Sequence, residues 1–272
     1  MDIPVFIVNL PDATARREAI LSQCHALGLH ATLVEAVDGR HLSPEELASC
    51  YNAKRANASG RELSRPEIGC ALSHLKIYRQ ILENNLPCAL VLEDDAQPGK
   101  NLPEVLREVA KKTSPETPSV ILFSHLKYYV LKNAVRLDCG AKIVFPYPKR
   151  NAAGAYGYFV TRTGARLLLE NLSPVWKVSD DWTSFVKDFQ LKLKAIVPCC
   201  VGIGEFGLES NIENGRSRNV RKSGLSYCVR EYFWKRFLHR LLVLPFAAKK
   251  QEKPDSLKRL SDKNNRMKSL KN

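Results

Sequence analysis

Leu90-Val91-Leu92-Glu93-Asp94-Asp95-Ala96 is the stretch from which the fold can be read. An apolar run, Ala89 to Leu92, stops abruptly at three consecutive carboxylates. A short apolar run bounded by turn formers has the length and composition of a buried strand in a parallel sheet. Acids placed where such a strand stops sit at its carboxyl end, where open α/β sheets bind ligands. Three crowded negative charges raise one another's pKa unless a cation offsets them. Hard divalent ions such as Mg²⁺ or Mn²⁺, shared with a phosphate, are the natural counter-charge. Alone, the three acids favour a solvated acidic turn, so the flanking chain has to discriminate.

Just upstream, Ser64-Arg65-Pro66-Glu67 is a capping box. It opens a helix with Ile68, Ala71, Leu72, Leu75, Tyr78 and Leu82 on its apolar side. Glu67, Cys70 or Ala71, and His74 fall about one turn apart and line one stripe. Nearer the N-terminus, Val5 to Val8 reads as a first buried strand and Asn9-Leu10-Pro11-Asp12 as its exit turn. A helix follows, capped by Asp12 or Thr14 and stopped by Gly28. Arg16 and Arg17 lie in its first turn, where the helix dipole disfavours cations. An anionic ligand is one reason to place them there; simple solvation is the other. Ala31 to Val37 is a second strand, Ser43-Pro44-Glu45-Glu46 a second capping box, and Asn52 to Arg65 a loop.

Downstream, Leu102 to Lys112 reads as a helix and Ser119 to Phe123 as a strand. Residues 125–150 form an irregular excursion that includes the strand Ile143-Val144-Phe145. Asn151 to Tyr158 is rich in small residues, Gly154 among them, which permit close backbone approach to a ligand or tight packing. A strand (Tyr158 to Val160), a helix from Thr163 and a last strand (Leu193 to Val197) complete the body. Ser179-Asp180-Asp181-Trp182 is a second acidic cluster, at the start of a helix running to Phe189. Acids belong at helix starts for electrostatic reasons alone.

Charge divides the chain. Residues 216–272 hold 17 Lys/Arg against 4 Asp/Glu, whereas residues 1–215 hold 25 against 24. The near-neutral body is therefore not a nucleic-acid-binding domain by charge; only the tail could serve that role. Tyr227 to Leu242 mixes aromatics with cations at helical spacing, which suits a helix in the headgroup layer of an anionic membrane. Residues 249–272 are polar and basic, and are expected to be disordered. No Cys-x-x-Cys or Cys-x-x-His spacing occurs among the eight cysteines, which argues against zinc. Free thiols inside apolar patterns favour a reducing compartment. The longest uncharged apolar run, Leu241 to Ala248, is too short to span a bilayer. Its opening lacks a signal peptide's features, so a cytoplasmic, soluble or peripheral protein is expected.

In order, Val8-Asn9-Leu10 with Arg16-Arg17, Glu67-Ile68-Gly69-Cys70-Ala71-Leu72-Ser73-His74, Val91-Leu92-Glu93-Asp94-Asp95, Gly154-Ala155-Tyr156-Gly157-Tyr158 and Val178-Ser179-Asp180-Asp181 make a recognisable series. The chain resembles glycosyltransferase family 25 from residue 3 to about 215. That family contains bacterial lipooligosaccharide galactosyltransferases and animal collagen galactosyltransferases. The resemblance implies a GT-A-like α/β sandwich, residues 1–215, with a mainly parallel central sheet; a basic helical appendage, residues 216–272, follows. It implies inverting transfer of a hexose, galactose from UDP-galactose in the first instance, onto a carbohydrate hydroxyl of a lipid-linked oligosaccharide. Asp95 and Glu93 are then the metal residues, for Mn²⁺ or Mg²⁺. Asn9, Arg16, Arg17, Glu67, His74, Glu93, Asp94, Gly154 and Tyr156 are the expected donor-site residues, and Asp180 or Asp181 the base. Many GT-A enzymes add a late His to the metal; here the only His beyond residue 125 is His239, which leaves Glu209, Asn211, Glu213 or water.

The expected setting is the inner face of a bacterial inner membrane, where the basic tail meets anionic lipid and no nucleic acid takes part. Two other readings were open. One is a non-catalytic membrane- or nucleic-acid-binding protein acting through its basic tail. The other is a glycoside-cleaving enzyme built on two carboxylates.

Overall fold

The computed structural model describes residues 3–147, 152, 154–204 and 249–251. The chain enters at β1 (Val5–Asn9), passes through α1 (Thr14–Ala26) and returns parallel to it as β2 (Ala31–Glu35). A short 3₁₀ turn at Gly39–His41 leads to α2 (Pro44–Cys50), α3 (Ala53–Ala58) and the long α4 (Arg65–Glu83). The acidic stretch is β3 (Cys88–Glu93), which lies parallel to β1 on the side away from β2. Then come β4 (Ala96–Pro98), α5 (Leu102–Lys111), β5 (Ser119–Leu122) and the long hairpin β6 (Tyr128–Arg136) and β7 (Lys142–Pro146). The remainder is β8 (Gly157–Thr161), α6 (Arg162–Leu172), α7 (Trp182–Asp188), β9 (Lys192–Val197), β10 (Val201–Ile203) and β11 (Lys249–Lys250).

Nine strands form one sheet in the order β11-β6-β7-β9-β5-β8-β3-β1-β2. The strand pairings set β8, β7 and β11 against the common direction of the other six, so the sheet is mixed but mainly parallel in sense. Alternation along the central strands supplies both faces. Ile7, Leu90, Leu92 and Phe159 pack with Ile20 of α1 and Val105 and Val109 of α5. Phe6, Val8, Val91 and Tyr158 pack with Leu75 and Tyr78 of α4, Leu168 of α6 and Trp182 of α7. Helices thus cover both faces, as strands buried on two sides require.

Several local expectations needed correction. The loop expected over Asn52 to Arg65 contains α3, started by the Asn52 side chain accepting from the Arg55 N–H at 2.9 Å. Neither Asp12 nor Thr14 caps α1; Ala13 stands at that position and offers no side-chain bond. β4 and β10, an antiparallel pair outside the main sheet, were too short to carry a periodic signal. Lys249 and Lys250, expected to be disordered, pair with Tyr129 and Tyr128 on the free edge of β6. Gln251 secures that pairing: its side-chain oxygen accepts from the Leu126 N–H at 2.9 Å. The aromatic and basic segment 227–242, Glu209, Asn211, Glu213 and His239 lie outside the described residues. Among the described residues, no helix is long and apolar enough to cross a membrane.

Candidate active site

The order β3-β1-β2 creates a switch point. After β1 the chain turns to one side to build β2, whereas β3 lies on the other. Loops leaving the carboxyl ends of β1 and β3 therefore diverge, and a crevice opens between them. It is a cleft of about 400 Å³ whose lining includes Asn9 and Arg16, the loop around Asp38 and Arg40, Cys70 and His74 of α4, and Glu93, Asp94 and Asp95.

The three acids have different surroundings. Asp94 accepts from the Asn9 side chain at 2.9 Å, and Arg16 of α1 pairs with it at 3.4 Å. Arg16 thus stands in the first turn of a helix, where the dipole disfavours it, because an acid faces it across the cleft. Burial still raises the Asp94 pKa, with Asn9 and Arg16 working against that rise. Asp95 is more extreme. Burial first, then the charges of Glu93 and Asp94, push its carboxyl up to about 7. Its Oδ1 is buried without a hydrogen-bond partner among the described residues. Glu93 turns the other way, its carboxylate 3.4 Å from His74 Nε2.

His74 is enclosed, and its Nδ1 lies 2.8 Å from the Tyr158 hydroxyl, which in turn meets the Tyr78 hydroxyl at 2.9 Å. Burial alone would strip the imidazole proton. Cys70 and Glu93 beside the ring outweigh it and raise the pKa to about 10.

The Glu67–His74 run is now readable residue by residue. Glu67 completes the capping box with Ser64 and receives Arg61 through two bonds of 2.8 and 2.6 Å. Burial opposes its charge, but Arg61 and Ser64 prevail and lower its pKa. Ile68 and Ala71 are core. A Cβ on Gly69 would run into the Gly39 nitrogen and the Val37 carbonyl, and lie 2.9 Å from Gly39 Cα. Ser73 accepts from the Val37 N–H at 2.8 Å and donates to the Gly69 carbonyl at 2.7 Å. Gly69 and Ser73 therefore clamp the loop after β2 onto α4, and so shape one wall of the cleft.

Gly69→Ala should gain up to about 1 kcal/mol in helix propensity and lose about 1–3 kcal/mol to overpacking against immovable backbone. The net expectation is a melting temperature several degrees lower. Thermal denaturation of the variant checks this; an unchanged or higher midpoint would show that the contact is dispensable.

Of the residues singled out from sequence, Asn9, Arg16, Cys70, His74, Glu93, Asp94 and Asp95 converge on the cleft. The rest do not line it. Arg17 is directed to the Pro11 carbonyl at 3.3 Å, and Glu67 is buried at the helix start. Gly154 has φ +89°, donates its N–H to Asp180 at 3.0 Å and accepts from the Trp182 indole at 3.1 Å. Tyr156 is buried, its hydroxyl accepting from the His125 N–H at 3.1 Å, while its carbonyl accepts from the Glu93 N–H. Asp181 caps α7 through the Ser184 N–H and pairs with Lys177 at 3.2 Å. Ser179, next to Asp180, lies 3.3 Å from the cleft residue Cys70, which brings the second acidic turn to the cleft's edge. Asp38, Arg40 and Ser73 were not singled out. For Asp38 the usable signal was an acid directly after the second strand.

Comparison with known proteins identifies the family. The family model described as glycosyltransferase family 25 (LPS biosynthesis protein) matches residues 2–183. The chain belongs to glycosyltransferase family 25. A Haemophilus influenzae relative, provisionally named a glycosyltransferase, is 29% identical over 252 residues, covering 84% of this chain and 83% of the relative. Mouse procollagen galactosyltransferase 2 is 34% identical over 98 residues, 34% of this chain but only 16% of that protein. A human relative named inactive glycosyltransferase 25 family member 3 is 25% identical over 173 residues, covering 54% of this chain and 29% of its own length. Membership thus places the chain among glycosyltransferases, in a family that also holds a member named inactive.

Proposed function

We propose that the protein is an inverting, metal-dependent transferase of GT-A type that moves galactose from UDP-galactose onto a hydroxyl of a lipooligosaccharide or lipopolysaccharide acceptor. The observation that carries this reading is Asp95: a buried carboxylate with a partnerless oxygen, beside two further acids, at a sheet's switch point. Such a group asks for a cation, and carboxylate ligands suit Mn²⁺ or Mg²⁺. Asp95 and Glu93 would hold the ion, which supplies charge neutralisation for a departing diphosphate. Asn9 and Arg16 fix Asp94 and keep one cation at the mouth of the cleft. The loop at Asp38–Arg40 lines the same cleft and would meet the nucleoside end of the donor.

Inversion needs a base for the acceptor hydroxyl. Asp180, beside Ser179 at the edge of the cleft, is our candidate for that role, while Asp181 caps α7 and pairs with Lys177. The family's description as one of LPS biosynthesis supports the acceptor class.

A screen of UDP-hexoses by thermal shift tests the donor reading, because a ligand bound only by the folded state raises its apparent stability. UDP-galactose should raise the melting temperature only when Mn²⁺ is present; no shift with any UDP-sugar would overturn the proposal. For the tail we expect contact with the inner membrane's cytoplasmic face. Replacing Lys235, Arg236 and Arg240 by Gln in the full chain removes about 1 kcal/mol per cation. Co-sedimentation with anionic vesicles should weaken about 100-fold, and unchanged sedimentation would end the membrane role.

A further inference from the structure

We propose that Cys70, His74 and Glu93 form a second cation site in the cleft, open on one side and suited to a thiophilic divalent ion of the Zn²⁺ class. The ligand atoms of these three residues all lie within 4.8 Å of one another. Cys70 and His74 stand at i and i+4 on α4, so both side chains rise from one helix face. Glu93 comes from a different element, the end of β3. Absence of Cys-x-x-Cys spacing speaks to closed structural zinc sites and leaves a three-ligand site of this kind untouched.

The second observation is the state of His74. It is only 1% exposed, and its Nε2 makes no aligned hydrogen bond among the described residues, facing the Glu93 carboxylate at 3.4 Å. Its other nitrogen, Nδ1, is tied to the Tyr158 hydroxyl, which Tyr78 orients from behind. Metal-bound histidines are held in this manner, one nitrogen anchored by a hydrogen-bond partner and the other presented to the ion. Tetrahedral coordination at about 2.0–2.3 Å spaces ligand atoms by roughly 3.3–3.6 Å. The Nε2–Oε1 separation of 3.4 Å already has that spacing. The sulfur needs to move at most about 1.2 Å, within reach of a small χ1 change at a half-buried side chain. Ser179 Oγ, 3.3 Å from the sulfur, is placed to donate to a bound thiolate.

The ligand set differs in kind from that around Asp95. A thiolate and an imidazole select borderline and soft ions, whereas the aspartates select hard ones. Glu93 borders both, so the two ions would compete for one carboxylate.

Co²⁺ titration of the full-length, metal-free protein tests the site directly. Wild type should develop a thiolate-to-cobalt charge-transfer band with a stoichiometry of one, and Zn²⁺ should displace it. Cys70→Ser should abolish the band while leaving the other seven cysteines in place, and Glu93→Gln should weaken Co²⁺ binding at least tenfold. No band in wild type, or an equal band in Cys70→Ser, would overturn the proposal. An ion bound by Asp95 alone gives no thiolate band, so this result is independent of whether any UDP-sugar binds.

Discussion

Asp95→Asn should lower sugar transfer by about 10²–10³-fold while raising the melting temperature of the metal-free protein at pH 8. The two effects share one cause. Burial and the neighbouring acids push the Asp95 pKa from its ordinary value of 3.8 up to about 7. A carboxyl that holds its proton more tightly when folded than when unfolded costs stability as that proton is lost. The cost is absent below pH 4, grows as pH rises from about 4 to about 7, and is constant above. Asparagine carries no charge, so melting curves of the two proteins should coincide in acid and separate across that window. Mn²⁺ should close the gap for wild type only. Full transfer activity in Asp95→Asn would remove the metal role, and identical melting curves at pH 8 would remove the electrostatic account.

Asp180→Asn should reduce turnover by about 10²–10⁴-fold, the range a positioned general base contributes. Donor binding should be unaffected, because an asparagine oxygen can still accept the Gly154 N–H that Asp180 accepts now at 3.0 Å. Asp181→Asn should behave differently. Asparagine caps helices about as well as aspartate, but of its two carboxylate partners among the described residues the buried Lys177 would keep Asp188, at 3.5 Å. Its effect should therefore fall on thermal stability, with turnover changed far less. Measuring turnover, donor affinity and melting temperature for both variants separates the roles. Greater loss of turnover in Asp181→Asn would exchange the assignments.

The sequence made the sheet's centre legible because its strands are buried on both faces. Val5 to Val8 and Ala89 to Leu92 have no polar interruption, and Glu93-Asp94-Asp95 marks where burial ends. The capping boxes at Ser43 and Ser64 fixed two helix starts for the same local reason, and both are formed in both directions. The site was legible only in part. Glu67 and Tyr156 carry strong chemistry in a one-dimensional reading, yet each has a partner that only folding supplies, Arg61 in one case and the His125 backbone in the other. The role of Gly69 could not be read without the chain 30 residues earlier, since the reason for its missing side chain is the backbone of Gly39. Elements of two or three residues, such as β10 and β11, are held by pairing partners and contain no period to detect.

The pairing of Lys249 and Lys250 with β6 also bears on how copies of the protein treat one another. β6 is nine residues long, with Leu131 and Val135 exposed, and its outer edge would offer another chain a ready line of donors and acceptors. A two-residue strand made only of lysines occupies part of that edge instead. A second copy approaching there in the same way would set like charges side by side. This edge of the nine-stranded sheet thus ends in a short run of positive charge, which disfavours strand-by-strand aggregation.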